Sequence, residues 1–306
     1  MMKITKLIKK HFRNVNLIDF YFEKYYQEQQ ISYYKSLFVS LKDKCYCNTK
    51  YCNNEIIISL TTYGTRAYSV YLTITSLIHQ TIKANKIILW LSETEFNDKS
   101  IPLTLKKLKE YGLEIHYCDD IKSYKKIIPT LSLYPKSDII TVDDDIIYPV
   151  DFIEKLISAH LNNPNKVCFT RGCKITFGKN GEILPYEKWK NPTNAQSMLN
   201  IPTGVGGILY PENCFHHDVT KKNIFMDICP NADDLWLRMM CFINNIDTYY
   251  LECYSDFSHH FIEIENSQSK SLSSINNGKQ SKITNDSQFI ALVKKYRLDS
   301  LISYYR

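Results

Sequence analysis

The chain has 306 residues, enough for one large core, or one core with a small appendage. Its 44% hydrophobic and 23% charged residues are the balance of a globular protein, and no apolar run nears the ~20 residues of a bilayer span. A net charge of +6 is modest, and without an RNP-like aromatic motif, a zinc finger or a long basic run it argues against a nucleic-acid partner.

Residues 1–54 stand apart as a basic helical extension. Ile4, Leu7, Ile8, Phe12 and Val15 recur at helical spacing, with Lys3, Lys6, Lys9, Lys10 and Arg13 elsewhere around the helix. Such a helix either packs its apolar stripe on its own domain or lies in a membrane interface, its cations against anionic headgroups. The opening MMKITKLIKKHF lacks the unbroken apolar stretch of a signal peptide. A cytoplasmic location, at the inner face of the membrane if residues 1–15 bind it, is therefore expected. The cysteines at 168, 214, 229, 241 and 253 sit singly among apolar residues, as small hydrophobes do. Cys45, Cys47 and Cys52 lie closer together, but no second pair completes a four-ligand zinc pattern.

From Glu55 onward the pattern alternates. EIIISL predicts a strand, residues 66–81 a helix, KIILWL a strand, and LTLKKLKEYG a helix ending at Gly112. LEIHYC predicts a third strand, SYKKIIPTLSLY a helix interrupted by Pro129, and DIITV a fourth strand. Short apolar strands separated by helices imply a mostly parallel, Rossmann-like α/β sheet covered on both faces, with ligands beyond its carboxyl edge. Beyond Pro149 come a helix (151–162), a strand KVCFT, a long polar loop (172–202) and a strand GGILY. A helix near 232–244 and a strand YYLEC follow. The polar stretch 264–287 has the length of a lid or a disordered segment, and a last helix runs from Ser287 to Arg297 behind an Asp286 cap.

The strongest chemical signal is TVDDDIIYP. Asp143, Asp144 and Asp145 leave the fourth strand at the ligand-binding edge, where adjacent carboxylates repel unless a cation joins them. If extended geometry persists, Asp143 and Asp145 share a face and Asp144 points away. Hard oxygen ligands suit Mg²⁺ or Mn²⁺, which keep positions open for substrate phosphates. In NADDLWLRMM, Asp233 and Asp234 fall in the first turn of a helix with Asn231 as N-cap. Helix starts favour Asp in any protein, and there a carboxylate stays ionised as a weak base, usable if it reaches an acceptor hydroxyl. Thr61, Tyr63 and Arg66 in SLTTYGTR, and Lys125 and Lys126 in SYKKIIP, are candidates for base stacking and diphosphate contact. His259 and His260 follow an expected strand, whose alternation points one of them inward as a third metal ligand.

The ordered set TTYGTR, SYKK, TVDDDIIYP, GVGGILYP and CPNADDLWL resembles bacterial GT-A glycosyltransferases of capsule and lipopolysaccharide synthesis, over roughly residues 55–290. The resemblance implies that the acidic triplet acts as a DXD motif, with Asp143 and Asp145 on Mn²⁺ or Mg²⁺ and Asp144 toward the nucleotide. DDLW is similar to the acidic pair of inverting, fringe-like enzymes, which gives Asp234, or else Asp233, the role of catalytic base. Gly206 and Gly207 of GVGGILYP match the glycine segment that lines donor and acceptor pockets, and a late histidine, His259 or His260, completes the metal shell. The implied partners are a nucleotide-sugar donor, a UDP-sugar foremost, and a glycan or lipid-linked glycan acceptor. The resemblance is vaguer over 172–202, where acceptor specificity is expected. Two rivals stand: a sugar-phosphate nucleotidyltransferase, whose loop should carry more Gly and a Pro-Lys pair after YGTR, and a non-catalytic glycan-binding or membrane-surface protein.

Overall fold

The computed structural model describes the backbone of residues 2–254, 256–264 and 283–306, and within these the side chains from residue 18 onward. A 38-residue helix, α1 (Met2–Val39), leads into an irregular strap, residues 40–55, that ends where the sheet begins. There follow β1 (Ile56–Thr61), α2 (Val70–Ile78), β2 (Lys86–Ser92), α3 (Leu103–Glu110), β3 (Glu114–Cys118), α4 (Ile128–Leu133) and β4 (Asp138–Thr141). The second half contributes β5 (Ile146–Ile147), α5 (Phe152–Asn162), β6 (Val167–Phe169), β7 (Gly172–Lys174), β8 (Asn200–Pro202) and β9 (Ile208–Tyr210). It ends with α6 (Lys222–Ile228), α7 (Asp233–Ile243), β10 (Thr248–Tyr250), α8 (Phe257–His260), β11 (Ile262–Glu263), α9 (Asn285–Tyr296) and α10 (Asp299–Tyr304).

Seven strands form one sheet in the order β10-β6-β9-β4-β1-β2-β3. β1 runs parallel to both β2 and β4, while β9 enters antiparallel between β4 and β6. The sheet is thus mostly parallel and flanked by helices, the α/β architecture expected from the strand–helix alternation. β1 and β4 are adjacent, yet the chain leaves them toward opposite sides of the sheet, and the site lies at this switch point. Ile56, Ile58 and Leu60 of β1 pack on one face with Val70, Ile74 and Leu77 of α2, all buried. On the β6–β9 side, Trp236, Met239 and Met240 of α7 fill a second core with Phe169, Ile208 and Leu292. Each such side chain contributes about 1.5–3 kcal/mol by leaving water.

Several local expectations change. Residues 64–68 form a 3₁₀ turn before α2 begins at Val70, so 66–81 is not one helix. SYKKIIPTLSLY splits at Ile127, because Pro129 occupies the first turn of α4, where its missing N–H costs nothing, and does not break a helix. The expected loop 172–202 contains the antiparallel pair β7–β8. His259 and His260 lie on the helical turn α8, capped by Asp256, and not beyond a strand. Thr284, not Asp286, caps α9 through a capping box with Ser287; Asp286 accepts from the Tyr186 N–H at 2.7 Å. The expected segment 264–287 lies outside the described residues over 265–282.

Candidate active site

Two loops build the site, one after β1 and one after β4. The first turns through Thr62 and Gly64, whose φ of +53° suits glycine, and brings Arg66 back over the sheet edge. In the second, the chain leaves extended geometry after Thr141 and turns at Asp144 and Asp145. The alternation expected for the triplet therefore fails. Asp144 and Asp145 share the Arg66 guanidinium, at 3.2 Å for Asp144, while Asp143 faces Lys126 at 3.1 Å. Far from pointing away, Asp144 is buried and accepts the Thr62 hydroxyl at 2.6 Å. Burial raises its carboxyl despite Arg66 and Thr62. The Asp143 N–H donates to the Tyr148 hydroxyl at 2.9 Å, which pins the turn to the core beneath it.

The second acidic motif arrives from the other half of the sheet. Asp233 and Asp234 open α7, whose cap residue is Ala232 and not the expected Asn231. Asn231 instead accepts from Lys122 at 2.7 Å. Lys126 joins the two motifs: its ammonium lies 3.1 Å from Asp143 and 3.0 Å from Asp233. Burial alone would lower its pKa, but Asp143, Asp233 and Asp234 raise it well above the ordinary lysine value. The Ser123 hydroxyl donates to Asp233 at 2.8 Å, and the Gly204 N–H to Asp234 Oδ2 at 2.9 Å. The other oxygen of Asp234, Oδ1, is buried without a hydrogen-bond partner.

Gly204 explains how these groups meet. A Cβ there would stand 2.6 Å from Lys126 Nζ, 3.1 Å from Asp143 Oδ1 and 3.3 Å from Asp234 Oδ1. Only a residue without a side chain lets the backbone into this junction. Burial pushes the Asp234 carboxyl up to about 7; Lys126 opposes this, while Asp233 and Asp143 push the same way. That reverses the expectation of a weak base at a helix start, since desolvation and like charge outweigh the helix dipole.

Other expected residues are more scattered. Thr61 donates to the Trp90 carbonyl at 2.8 Å, and Tyr63 is exposed with its ring 5.3 Å from the Arg66 guanidinium. Lys125 is buried and turned to Asp120, away from the triplet's partner Lys126. Gly206 and Gly207 serve packing: a Cβ would strike Arg171 and Thr170 at the first and Phe152 at the second, where φ is +74°. His259 is exposed and stacked on Tyr26 of α1 at 4.4 Å, and His260 lies 5.1 Å from the Tyr254 ring. Among the described residues, the trios whose possible ligand atoms all lie within 4.8 Å are Cys52, Asp138 and His160, and His216, His217 and Asp218; neither contains Asp143, Asp145, His259 or His260. Sequence reasoning missed Thr62, Ser123, Tyr148 and Gly204. Thr62, Ser123 and Tyr148 lie inside motifs already singled out, and Gly204 opens the same GVGG segment as Gly206 and Gly207.

No family model and no curated protein matches the chain. Among solved structures it is similar to residues 1–349 of S. aureus TarS in complex with UDP, at 13% identity and a TM-score of 0.44, covering 65% of this chain and 58% of that one. A second TarS 1–349 structure gives 15% identity and 0.44, with coverage of 69% and 60%. HddC from Yersinia pseudotuberculosis gives 14% and 0.34, with coverage of 53% and 78%. The chain thus spans about three-fifths of the TarS structures' length. All three TM-scores lie below 0.5.

Proposed function

We propose that the chain is a GT-A-type, inverting glycosyltransferase that moves a sugar from a nucleoside-diphosphate donor, a UDP-sugar foremost, to a hydroxyl of a surface-glycan acceptor. One observation carries this reading: Asp234, with one oxygen bare, opens a helix beside a strand-end acidic triplet, and Lys126 bridges the two motifs through Asp143 and Asp233. Residues 55–306 would be the catalytic unit and 1–54 its extension.

Among the described residues, five carboxylates (Asp143, Asp144, Asp145, Asp233, Asp234) meet two cations, Arg66 and Lys126. This surplus of hard oxygen donors would suit Mn²⁺ or Mg²⁺, with Asp143 and Asp145, which here face Lys126 and Arg66, as the ligands that the motif resemblance gives. When bound, such an ion supplies Lewis-acid stabilisation of the departing diphosphate. Arg66 now pairs with Asp144 and Asp145, so it would compete for them and, once released, is a planar fork suited to phosphate. His259, held by Tyr26, is left out of this shell.

Asp234 Oδ1 takes the proton of the acceptor hydroxyl as that oxygen bonds to the anomeric carbon. The carbon–oxygen bond to the diphosphate breaks on the opposite face, and the nucleoside diphosphate leaves with the electron pair. Lys126 and the Gly204 N–H hold Asp233 and Asp234 in position and leave Oδ1 bare for this use. The β7–β8 pair and Tyr186, whose phenol is raised first by burial and then by Cys173 and Asp234, would border the acceptor side.

The test is nucleotide release from a panel of UDP-sugars with Mn²⁺. Asp234→Asn should keep donor affinity and lose turnover by about 10²-fold or more, the scale of a lost general base. Pyrophosphate formation from a nucleoside triphosphate and a sugar phosphate would replace this reading with a nucleotidyltransferase. Sugar binding with no turnover would leave a glycan-binding protein.

A further inference from the structure

A second cluster lies at the other end of β4. Asp138 opens the strand that the triplet closes, roughly 15 Å away at ~3.3 Å per residue. Around its carboxylate gather Cys52 from the strap and His160 from α5, side chains separated by 86 and 22 residues of sequence from Asp138. Asp138 and His160 are buried, and Cys52 is half-buried. We infer that Cys52, Asp138 and His160 form a second metal site, for a zinc-like transition ion, which ties the strap carrying α1 to the start of β4.

The spacing supports it. Around a tetrahedral ion with ~2.0–2.2 Å bonds to nitrogen and oxygen and ~2.3 Å to sulfur, neighbouring ligand atoms stand about 3.3–3.6 Å apart. Here His160 Nε2 lies 3.3 Å and Cys52 Sγ 3.7 Å from the same oxygen, Asp138 Oδ2, and all three atoms fall within 4.8 Å. Little movement is needed to close the shell.

The donor set points the same way. Thiolate, imidazole and one carboxylate oxygen select a borderline ion such as Zn²⁺ over Mg²⁺ or Ca²⁺. The other oxygen, Asp138 Oδ1, is already taken: it accepts the Glu212 N–H at 2.8 Å and the Asn54 amide at 3.3 Å. Such outer bonds hold a carboxylate ligand in one orientation. One feature weakens the site: His160 Nδ1 is buried without an acceptor, so its ring lacks the usual outer partner. Affinity about 10–100-fold below that of a fully supported shell is the consequence, and a chelator should strip the ion.

The experiment adds Co²⁺ to the full chain after chelation. The expected result is a thiolate-to-cobalt charge-transfer band in the near ultraviolet that one equivalent of Zn²⁺ erases and excess Mg²⁺ does not. Cys52→Ala should abolish the band, His160→Gln should weaken it, and Cys47→Ala should leave it intact. Native mass spectrometry should find one Zn²⁺ per chain in the parent and none in Cys52→Ala. Cys52→Ser, which keeps the side chain's shape, serves in place of Cys52→Ala if that variant does not fold. Absence of the band, or its survival without the Cys52 thiol, would overturn the assignment and leave a hydrogen-bonded His–Asp pair.

Discussion

Lys126 ends between two acidic motifs that lie about ninety residues apart in sequence, Asp143 on one side and Asp233 with Asp234 on the other. Its charge opposes the proton on Asp234, yet burial wins and leaves that carboxyl near 7. The pH dependence follows from the sign. The base proposed above must be ionised to act, so turnover should rise with pH through about 7 and level off above it. Stability should run the other way. From about the ordinary carboxylate value of 3.8 up to about 7 the folded chain keeps a proton that the unfolded chain has released, so stability falls as pH rises across this window. Asp234→Asn should remove that part of the decline and be more stable than the parent at pH 8. Urea unfolding at pH 5 and 8 checks it, and equal pH slopes for both proteins would count against a raised Asp234.

At the scale of elements, α7 does two jobs with one helix. Its first turn presents Asp233 and Asp234, while Arg238, one turn further and fully buried, holds the neighbouring chain. Arg238 donates to the carbonyls of Asn200 at 2.8 Å, Ile246 at 3.0 Å and Met198 at 2.6 Å. Burial lowers its pKa, but these three acceptors satisfy the guanidinium without a carboxylate partner in that set. Through Asn200 it fixes β8, and β8 leads directly to the Gly204 turn. Arg238→Met fills similar space but strands two buried carbonyls, each costing about 1–3 kcal/mol, and the half-buried one of Ile246. A loss of about 3 kcal/mol or more in urea unfolding is expected. A loss below about 1 kcal/mol would mean that water or a shifted backbone replaces the arginine.

For the whole molecule, α1 is the outlying element. From Tyr26 to Phe38 it packs on Tyr71, Leu72, Ile147 and Ile262, so its C-terminal part belongs to the core. Before that point Ile18, Phe20, Tyr21, Phe22 and Tyr25 are exposed. The side chains of residues 1–17, which carry the expected stripe and lysines, lie outside the described ones. No described helix is long and apolar enough to cross a membrane. Anionic vesicles should nonetheless retain the protein at low salt, each lysine near the surface adding about 1 kcal/mol, and release it as salt screens the charges. Replacing Lys6, Lys9 and Lys10 with Glu should free it while leaving nucleotide release with a soluble acceptor unchanged. Failure to co-sediment at low salt would limit α1 to its packing role.

How much of the fold and site was legible in the sequence depends on the range of the physics. Strand–helix alternation from Glu55, the apolar strands β1, β2 and β4 and the acidic triplet beyond β4 all follow from local periodicity and residue chemistry, though the helices after β1 and β3 begin later than that reasoning put them. The apolar surroundings of Cys168, Cys214, Cys229 and Cys241 likewise foretold burial, whereas Cys253, read the same way, is only half-buried. Where a side chain points at the end of a strand was not local: one turn at Asp144 replaced alternation and gave Asp144 and Asp145 a common partner in Arg66. The antiparallel entry of β9, the meeting of Lys126 with Asp233, and the trio of Cys52, Asp138 and His160 join residues tens to more than a hundred positions apart. No periodicity encodes such meetings, because they depend on which strands pair and how closely backbones approach. Nor does a motif carry its own pKa: Asp234 is a stronger base than a helix-start aspartate because the fold buries it among Asp233 and Asp143, and burial exists only in the tertiary structure.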